Sequence, residues 1–255
     1  MSLQKNGIDQ GGRRLALVAL VVLALMLGAC AQSGTESDDG AAPSQAGDGN
    51  ESRQGTEQGT VVAEANGPAV EVFDAPDAPA PRLSLSNPTD NGGPRVFLVK
   101  ERRGGWLNVA LPVRPNGSTG WVREGDVTLS STPYRVTVDL AGHQITVWEG
   151  DQVIVDEPVG VGKKDAPTPG GDYYLAELLQ PPDPTTVYGP YAFGLSGFSD
   201  VFTNFAGGEG VIGIHGNNDP STLGTDVSSG CIRMSNDGIT RLAQLLPLGT
   251  PVTIV

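Results

Sequence analysis

The sequence predicts a mainly β protein with one short helix, arranged as a small barrel followed by a second β-rich unit. Three observations predict it. Glycine and proline number 36 and 20 of 255 residues, a density of chain breakers that leaves most segments too short for stable helices. Apolar residues recur in short alternating runs separated by Gly-Gly, Pro-Asn-Gly and Ala-Gly punctuation, the pattern of half-buried strands joined by tight turns. Apolar residues at helical spacing occur once, in "SNDGITRLAQLL".

The first segment is read as a leader. Lys5, Arg13 and Arg14 precede "LALVALVVLALMLGAC", an apolar run of about 15 residues, short of the about 20 that span a bilayer. Leu27-Gly28-Ala29-Cys30 matches the bacterial lipobox. Residues 1–29 are therefore expected to be a lipoprotein signal peptide, with Cys30 as the lipidated mature N-terminus and the rest of the chain exported, held to the membrane through that lipid. From 31 to 60, alanine and one proline stand among polar residues, with six acids against one arginine. Such a segment cannot bury enough surface to offset its ordering entropy, so residues 30–66 are expected to be an acidic disordered linker. The formal net charge of −13 and the lack of a basic patch exclude nucleic acid as a partner.

Residues 67–131 are expected to form the barrel. The runs "VFLV", "WLNVAL" and "GWVR" alternate with hairpin-length turns, and Trp106 and Trp121 are expected to be core or hairpin-pair aromatics. Residues 132–255 form the second unit. "RVTVDL", "QITVWE" and the run ending "DEPVGVG" read as a three-stranded meander, with His143 on its first turn in a solvated position. A glycine-, proline- and aromatic-rich stretch follows "DYYLAE" and runs to Gly210 without strand or helix periodicity; a loop that long inside a folded unit is usually functional, and it is expected to form a cleft wall. "VIGIH" is a short strand that delivers His215 at its end. "CIRM" is a second short extended piece, the helix follows with Ser235 or Asn236 as N-cap, and "TPVTIV" is the last strand.

The chemistry is expected at Cys231. With Cys30 lipidated, Cys231 is the only thiol of a chain in an oxidising compartment and has no partner for an intramolecular disulfide. A buried cysteine, an intermolecular bridge and a nucleophile all satisfy that count. A nucleophilic thiol needs an imidazole beside it to take its proton, and His215 is the histidine available in the same unit, at the end of its own strand. Gly230 permits close backbone approach, so the amides of Gly230 and Cys231 are expected to face a carbonyl oxygen. Zinc would need further ligands; Asp219 and Asp226 would complete a set, but no ligand spacing supports one. No cofactor or metal is expected.

"IGIHG…SSGCIRM" resembles the signature of the L,D-transpeptidase catalytic domain of YkuD type: a His-Gly, a spacer, then Ser/Thr-x-Gly-Cys-hydrophobic-Arg/Asn. "TPGGDYYL", "GPYAFGLS" and "GTPVTIV" are also similar to segments of that family, so the likeness spans residues 134 to 255. "GGWLNVALPVRPNGSTGWVREGDV" resembles bacterial Src-homology-3-like domains. The first resemblance implies an L,D-transpeptidase-type β-sandwich with the short helix after the catalytic cysteine.

It also implies roles. Cys231 is the nucleophile and His215 its base and later proton donor. The residue before Gly230, here Ser229 where many members have histidine, would orient the imidazole through its backbone carbonyl. Ser228 would brace the loop, and Arg233 would hold the peptide stem of the donor, against the alternative of a surface ion pair with Asp237. Gly216, Asn236 and Tyr191 complete the substrate-binding candidates, Asn236 being equally suited to a helix cap and Tyr191 to the core. The implied substrates are peptidoglycan stem peptides, a tetrapeptide donor and a diaminopimelate acceptor, handled by a monomer anchored on the outer face of the cytoplasmic membrane and facing the cell wall. Carbapenems are expected to acylate Cys231. A carboxypeptidase or endopeptidase on the same stems, and a non-enzymatic wall-binding lipoprotein, are the competing functions.

Overall fold

In the computed structural model the described residues are 59–204 and 208–255. The signal peptide, Cys30 and the linker as far as residue 58 lie outside them. Seven strands precede Pro133: β1 (Thr60–Ala65), β2 (Ala69–Val72), β3 (Leu83–Ser86), β4 (Val96–Arg103), β5 (Trp106–Ala110), β6 (Thr119–Arg123) and β7 (Val127–Thr132). Five of them form an antiparallel sheet in the order β6-β5-β4-β1-β7, and β2 and β3 pair as a separate hairpin. The linker was expected to reach residue 66; instead Thr60–Ala65 is the strand that pairs with both β4 and β7. Its Val62, Ala63 and Ala65 are buried, so a short apolar patch at the end of a polar segment suffices to make a strand where two edges await it.

The interior of this sheet is built from Val70, Val72, Phe97, Leu107, Val109 and Val122. Trp106 and Trp121 are buried as expected, together with Phe73 in a cluster of their own. Arg123 lies over Phe73 and Trp106 and Arg103 over Trp121, so cation–π contacts cover the aromatic faces.

The second part carries β8 (Tyr134–Asp139), β9 (Gln144–Glu149), β10 (Gln152–Pro158), β11 (Val161–Gly162), β12 (Gly171–Leu179), β13 (Ala192–Phe198), β14 (Val211–His215), β15 (Asp226–Ser228), β16 (Ile232–Arg233), α1 (Asn236–Leu245) and β17 (Pro251–Ile254). Eight of these strands form one sheet in the order β10-β9-β8-β17-β12-β13-β14-β16, and β11 pairs with β15 apart from it. The meander β8-β9-β10 is as expected, and α1 is the one α-helix among the described residues. Its N-cap is Ser235, whose Oγ accepts from Gly238 N and donates to Glu157 Oε2; Ile239 and Leu242 point into the core with Met234 and Val252.

Two expectations are corrected here. The stretch ending at Gly210 is not without structure: Ala192–Phe198 forms β13, buried between β12 and β14, and its glycines hide the alternation that marks a strand. His143 sits on its turn with φ 50° but is not merely solvated. Its Nε2 lies 2.8 Å from Asp226 Oδ1, because the turn folds against the start of β15.

The two parts share a hydrophobic contact in which Val62, Val96 and Leu98 meet Tyr174 and Ala176. Tyr174 is fully buried there and donates its hydroxyl to Val96 O at 3.1 Å. Gly249 has φ 87°, and a Cβ on it would stand 2.4 Å from a Val62 methyl, so β1 packs directly on the turn that enters β17.

Candidate active site

The site is built by a strand pairing. β14 and β16 run parallel with Ile214 opposite Ile232 and His215 opposite Arg233. Side chains alternate across a strand and paired residues share a face, so Ile214 and Ile232 enter the core while His215, Cys231 and Arg233 lie together on the other face. Ile214 and Ile232 are fully buried, as that register demands. His215, Cys231 and Arg233 line one cleft with Ser228, Ser229, Val187, Tyr188, Ser199, Phe202, Gly210, Val211 and Ile212. The cleft encloses about 70 Å³.

His215 is buried, and its Nδ1 is 2.8 Å from Gly216 O. A carbonyl only accepts, so Nδ1 carries the proton on the Gly216 side of the ring and Nε2 is the nitrogen left to act as base. Burial pulls the imidazole down to a pKa of about 4; backbone hydrogen bonds to Gly216 and Val187 oppose this and the Arg233 charge adds to it. The Tyr188 ring lies against the imidazole at a tilt of 59°, centroids 5.0 Å apart. Burial likewise pushes the Cys231 thiol up, opposed by a backbone hydrogen bond from Gly213 and by Arg233. Both shifts favour the uncharged forms, so the resting pair is thiol and neutral imidazole.

Gly213 occupies the strand position beside Cys231. A Cβ on it would sit 2.6 Å from Phe193 O on β13. Gly213→Ala is expected to force β13 and β14 apart and cost about 2 kcal/mol. A fall in Tm of roughly 4–8 °C by calorimetry, with slowed iodoacetamide labelling of Cys231, is the expected reading; an unchanged Tm contradicts it.

Ser228 braces the turn as expected: its Oγ accepts from Gly230 N at 3.1 Å and donates to Cys231 O. This corrects the role given to Gly230. Its amide is engaged by Ser228, which removes it from the two amides expected to face a carbonyl oxygen. Gly230 serves by conformation, with φ 116°, where a side chain is strained. Ser229 is corrected too. The carbonyl on His215 Nδ1 is that of Gly216, the next residue along the chain, and Ser229 is a wall residue of the cleft.

Arg233 points into the cleft, its Nε buried and without a hydrogen-bond partner among the described residues. No ion pair joins it to Asp237 among those residues. Asn236, Gly216 and Tyr191 do not line the cleft. Asn236 Oδ1 accepts from Asn217 N at 2.8 Å, and a Cβ on Gly216 would stand 2.4 Å from that oxygen, so both lock the loop after His215. Tyr191 packs on the core, and its carbonyl accepts from Gly216 N. The aromatics of the glycine- and proline-rich stretch that reach the site are Tyr188 and Phe202, which sequence reasoning missed; the glycines and prolines around them give no periodicity from which their direction could be read.

A model of the YkuD L,D-transpeptidase catalytic domain matches residues 133–254. Bacillus subtilis YqjB, which carries the L,D-transpeptidase name, is 31% identical over 141 residues, covering 51% of this chain and 75% of that one. The chain belongs to the L,D-transpeptidase family. Bacillus licheniformis YkuD is 36% identical over 122 residues, 48% of this chain and 66% of the relative; the chain thus spans just under two thirds of the YkuD proteins it matches. A solved L,D-transpeptidase from Mycobacterium smegmatis is 16% identical, covering 73% of this chain and 99% of its own, with a TM-score of 0.39. The expected fold class, mainly β with an L,D-transpeptidase-type β-sandwich, holds, and in this member of the family His215 ends one of the two paired strands and Cys231 directly precedes the other.

Proposed function

We propose that this chain is a peptidoglycan L,D-transpeptidase that forms cross-links between third residues of stem peptides through a thioester on Cys231. The observation that carries the reading is the β14–β16 register, which sets a thiol, a neutral imidazole and a guanidinium with a buried, unbonded Nε around one cleft. In the first step Cys231 Sγ attacks the carbonyl of the third residue of a tetrapeptide while His215 Nε2 takes the thiol proton. The Cys231 amide stabilises the oxyanion. The intermediate collapses, the C–N bond breaks, and His215 returns the proton to the departing D-alanine amine. In the second step the side-chain amine of a diaminopimelate attacks the thioester, giving up a proton to His215, and the thiol leaves with a proton restored. Arg233 holds a carboxylate of the stem by charge-assisted hydrogen bonds.

A thiol nucleophile that takes up an acyl group as a thioester also supports acylation by carbapenems. The lipobox at Cys30 supports export and lipid anchoring outside the cytoplasmic membrane, and the strand-and-turn spacing of residues 67–131 supports a Src-homology-3-like unit beside a monomeric catalytic one.

Incubating the chain from residue 59 onward with disaccharide-tetrapeptide and weighing the products separates the candidate functions. Dimers bridged between third residues are the expected product. Tripeptide alone makes the chain a hydrolase, and unchanged substrate makes it a wall-binding protein.

A further inference from the structure

The barrel reaches into the active-site wall at one place. The turn between β5 and β6 carries Arg114 and Asn116, and both bind the chain segment that leaves β13 and returns to β14. Arg114 Nη1 donates to Ser199 O at 2.9 Å, and its Nη2 donates to Phe202 O and Glu209 O, each at 3.0 Å. The same guanidinium lies 4.9 Å from the Phe198 ring centroid. Asn116 imitates a neighbouring strand: Nδ2 donates to Phe198 O at 2.8 Å and Oδ1 accepts from Phe198 N at 2.9 Å. The three bonds are spread over both terminal nitrogens of a rigid planar fork, a spacing that guanidinium matches better than the single nitrogen of an ammonium.

Two of those carbonyls, of Ser199 and Phe202, belong to cleft residues, and Glu209 directly precedes a third. Ser199, Phe202 and Gly210 all line the cleft with Cys231. Ser199 N donates to Gly210 O at 2.8 Å, closing the neck of the segment, and Ser199 Oγ accepts from Val201 N and Phe202 N. Gly210 has φ 74°, and a Cβ there would stand 2.0 Å from Phe202 O and 3.3 Å from Arg114 Nη2. Across the cleft, Ser199 Oγ stands 3.9 Å from where a Cβ on Gly230 would be. The path from the barrel to the turn that carries the nucleophile is therefore one guanidinium and one serine long.

We propose that Arg114 and Asn116 are positioning residues for stem-peptide transfer: the barrel fixes the wall formed by Phe198–Phe202 and Glu209–Val211 and so sets the width of the cleft opposite Cys231. The substrate in this statement rests on the transpeptidase reading; the clamp itself does not. Arg114 is solvent-exposed, so trimming it opens no core cavity.

Arg114→Ala, Arg114→Lys and Asn116→Ala, made in the chain from residue 59 onward, test the proposal by three readouts. Hydrogen exchange at the amides of Val201 and Phe202 is expected to rise about tenfold or more in Arg114→Ala, with the β8–β10 meander unchanged. The kcat/KM for disaccharide-tetrapeptide is expected to fall about tenfold or more, mainly through KM, with lysine restoring only part of it. Iodoacetamide labelling of Cys231 at fixed pH is expected to speed up about threefold as the wall loosens, so that thiol access and peptide transfer move in opposite directions. Unchanged exchange at residues 199–202 overturns the clamp. Faster exchange with kcat/KM and labelling both within about twofold of the parent overturns positioning and leaves an anchor only. A parent chain that processes no tetrapeptide overturns the transpeptidase reading, and exchange with labelling then decides the clamp by themselves.

Discussion

Cys231→Ala is expected to lower tetrapeptide turnover by about 10⁴-fold or more, ~5.4 kcal/mol in barrier, while leaving Tm within about 3 °C. The side chain is half-buried and fills little volume, so its loss removes the nucleophile without a large cavity. Cys231→Ser is expected to be almost as inactive. A hydroxyl is a far weaker acid than a thiol, and an imidazole pulled down to about 4 by burial is too weak a base to ionise it. The pairing of a low-basicity imidazole with a thiol is thus specific to sulfur chemistry. Mass-spectrometric product analysis at matched protein concentration checks both variants; a serine variant within about tenfold of the parent contradicts the neutral-pair account.

The second large effect is at His215. His215→Gln keeps a hydrogen-bonding side chain under Tyr188 but has no proton acceptor of the right basicity, and acylation is expected to fall by about 10²–10⁴-fold. Acid behaviour follows from the sign of the shift. The folded-state pKa, about 4, lies below the ordinary imidazole value of 6.5, so the unfolded chain takes up the proton first. Stability from this group is complete above about pH 6.5 and is lost as pH falls toward 4, by about 3 kcal/mol in all. Activity is expected to keep its acid limb near pH 4, not near 6.5, because only protonation of Nε2 disables the base. The glutamine variant loses both the acid limb and that part of the pH-dependent unfolding. Denaturant titrations at pH 7 and pH 4 on parent and variant measure the second; equal pH dependence in the two contradicts the burial of a neutral imidazole.

Much of this was legible in the sequence, and what was not has definite physical causes. The meander, "VIGIH", α1 and the last strand could be read because each shows alternation or helical spacing over its length. Cys231 and His215 could be read as a pair by residue type and motif. Their common face could not, since it depends on a parallel pairing between strands sixteen residues apart, and no local pattern records register. Ser229 lost its expected role because the Gly216 carbonyl, one residue from the imidazole, reaches Nδ1 first. Gly230 lost its amide to Ser228, a bond between neighbours that the motif contains but does not announce. Tyr188 and Arg114 were hidden for the same reason: both lie in turns rich in glycine and proline, where side-chain direction is set by contacts with distant chain. The Pro-Asn-Gly turn after Arg114 read as punctuation only, yet Arg114 and Asn116 bind Ser199 and Phe198 beside the cleft.

The most direct test of the account is to quench the parent chain with acid during tetrapeptide turnover, digest it, and weigh the peptide that contains Cys231. A mass increase equal to the acylating stem without its terminal D-alanine, released by hydroxylamine and absent from Cys231→Ala, is the predicted result. Turnover that proceeds with Cys231 unmodified, or an adduct that persists in the alanine variant, would contradict it.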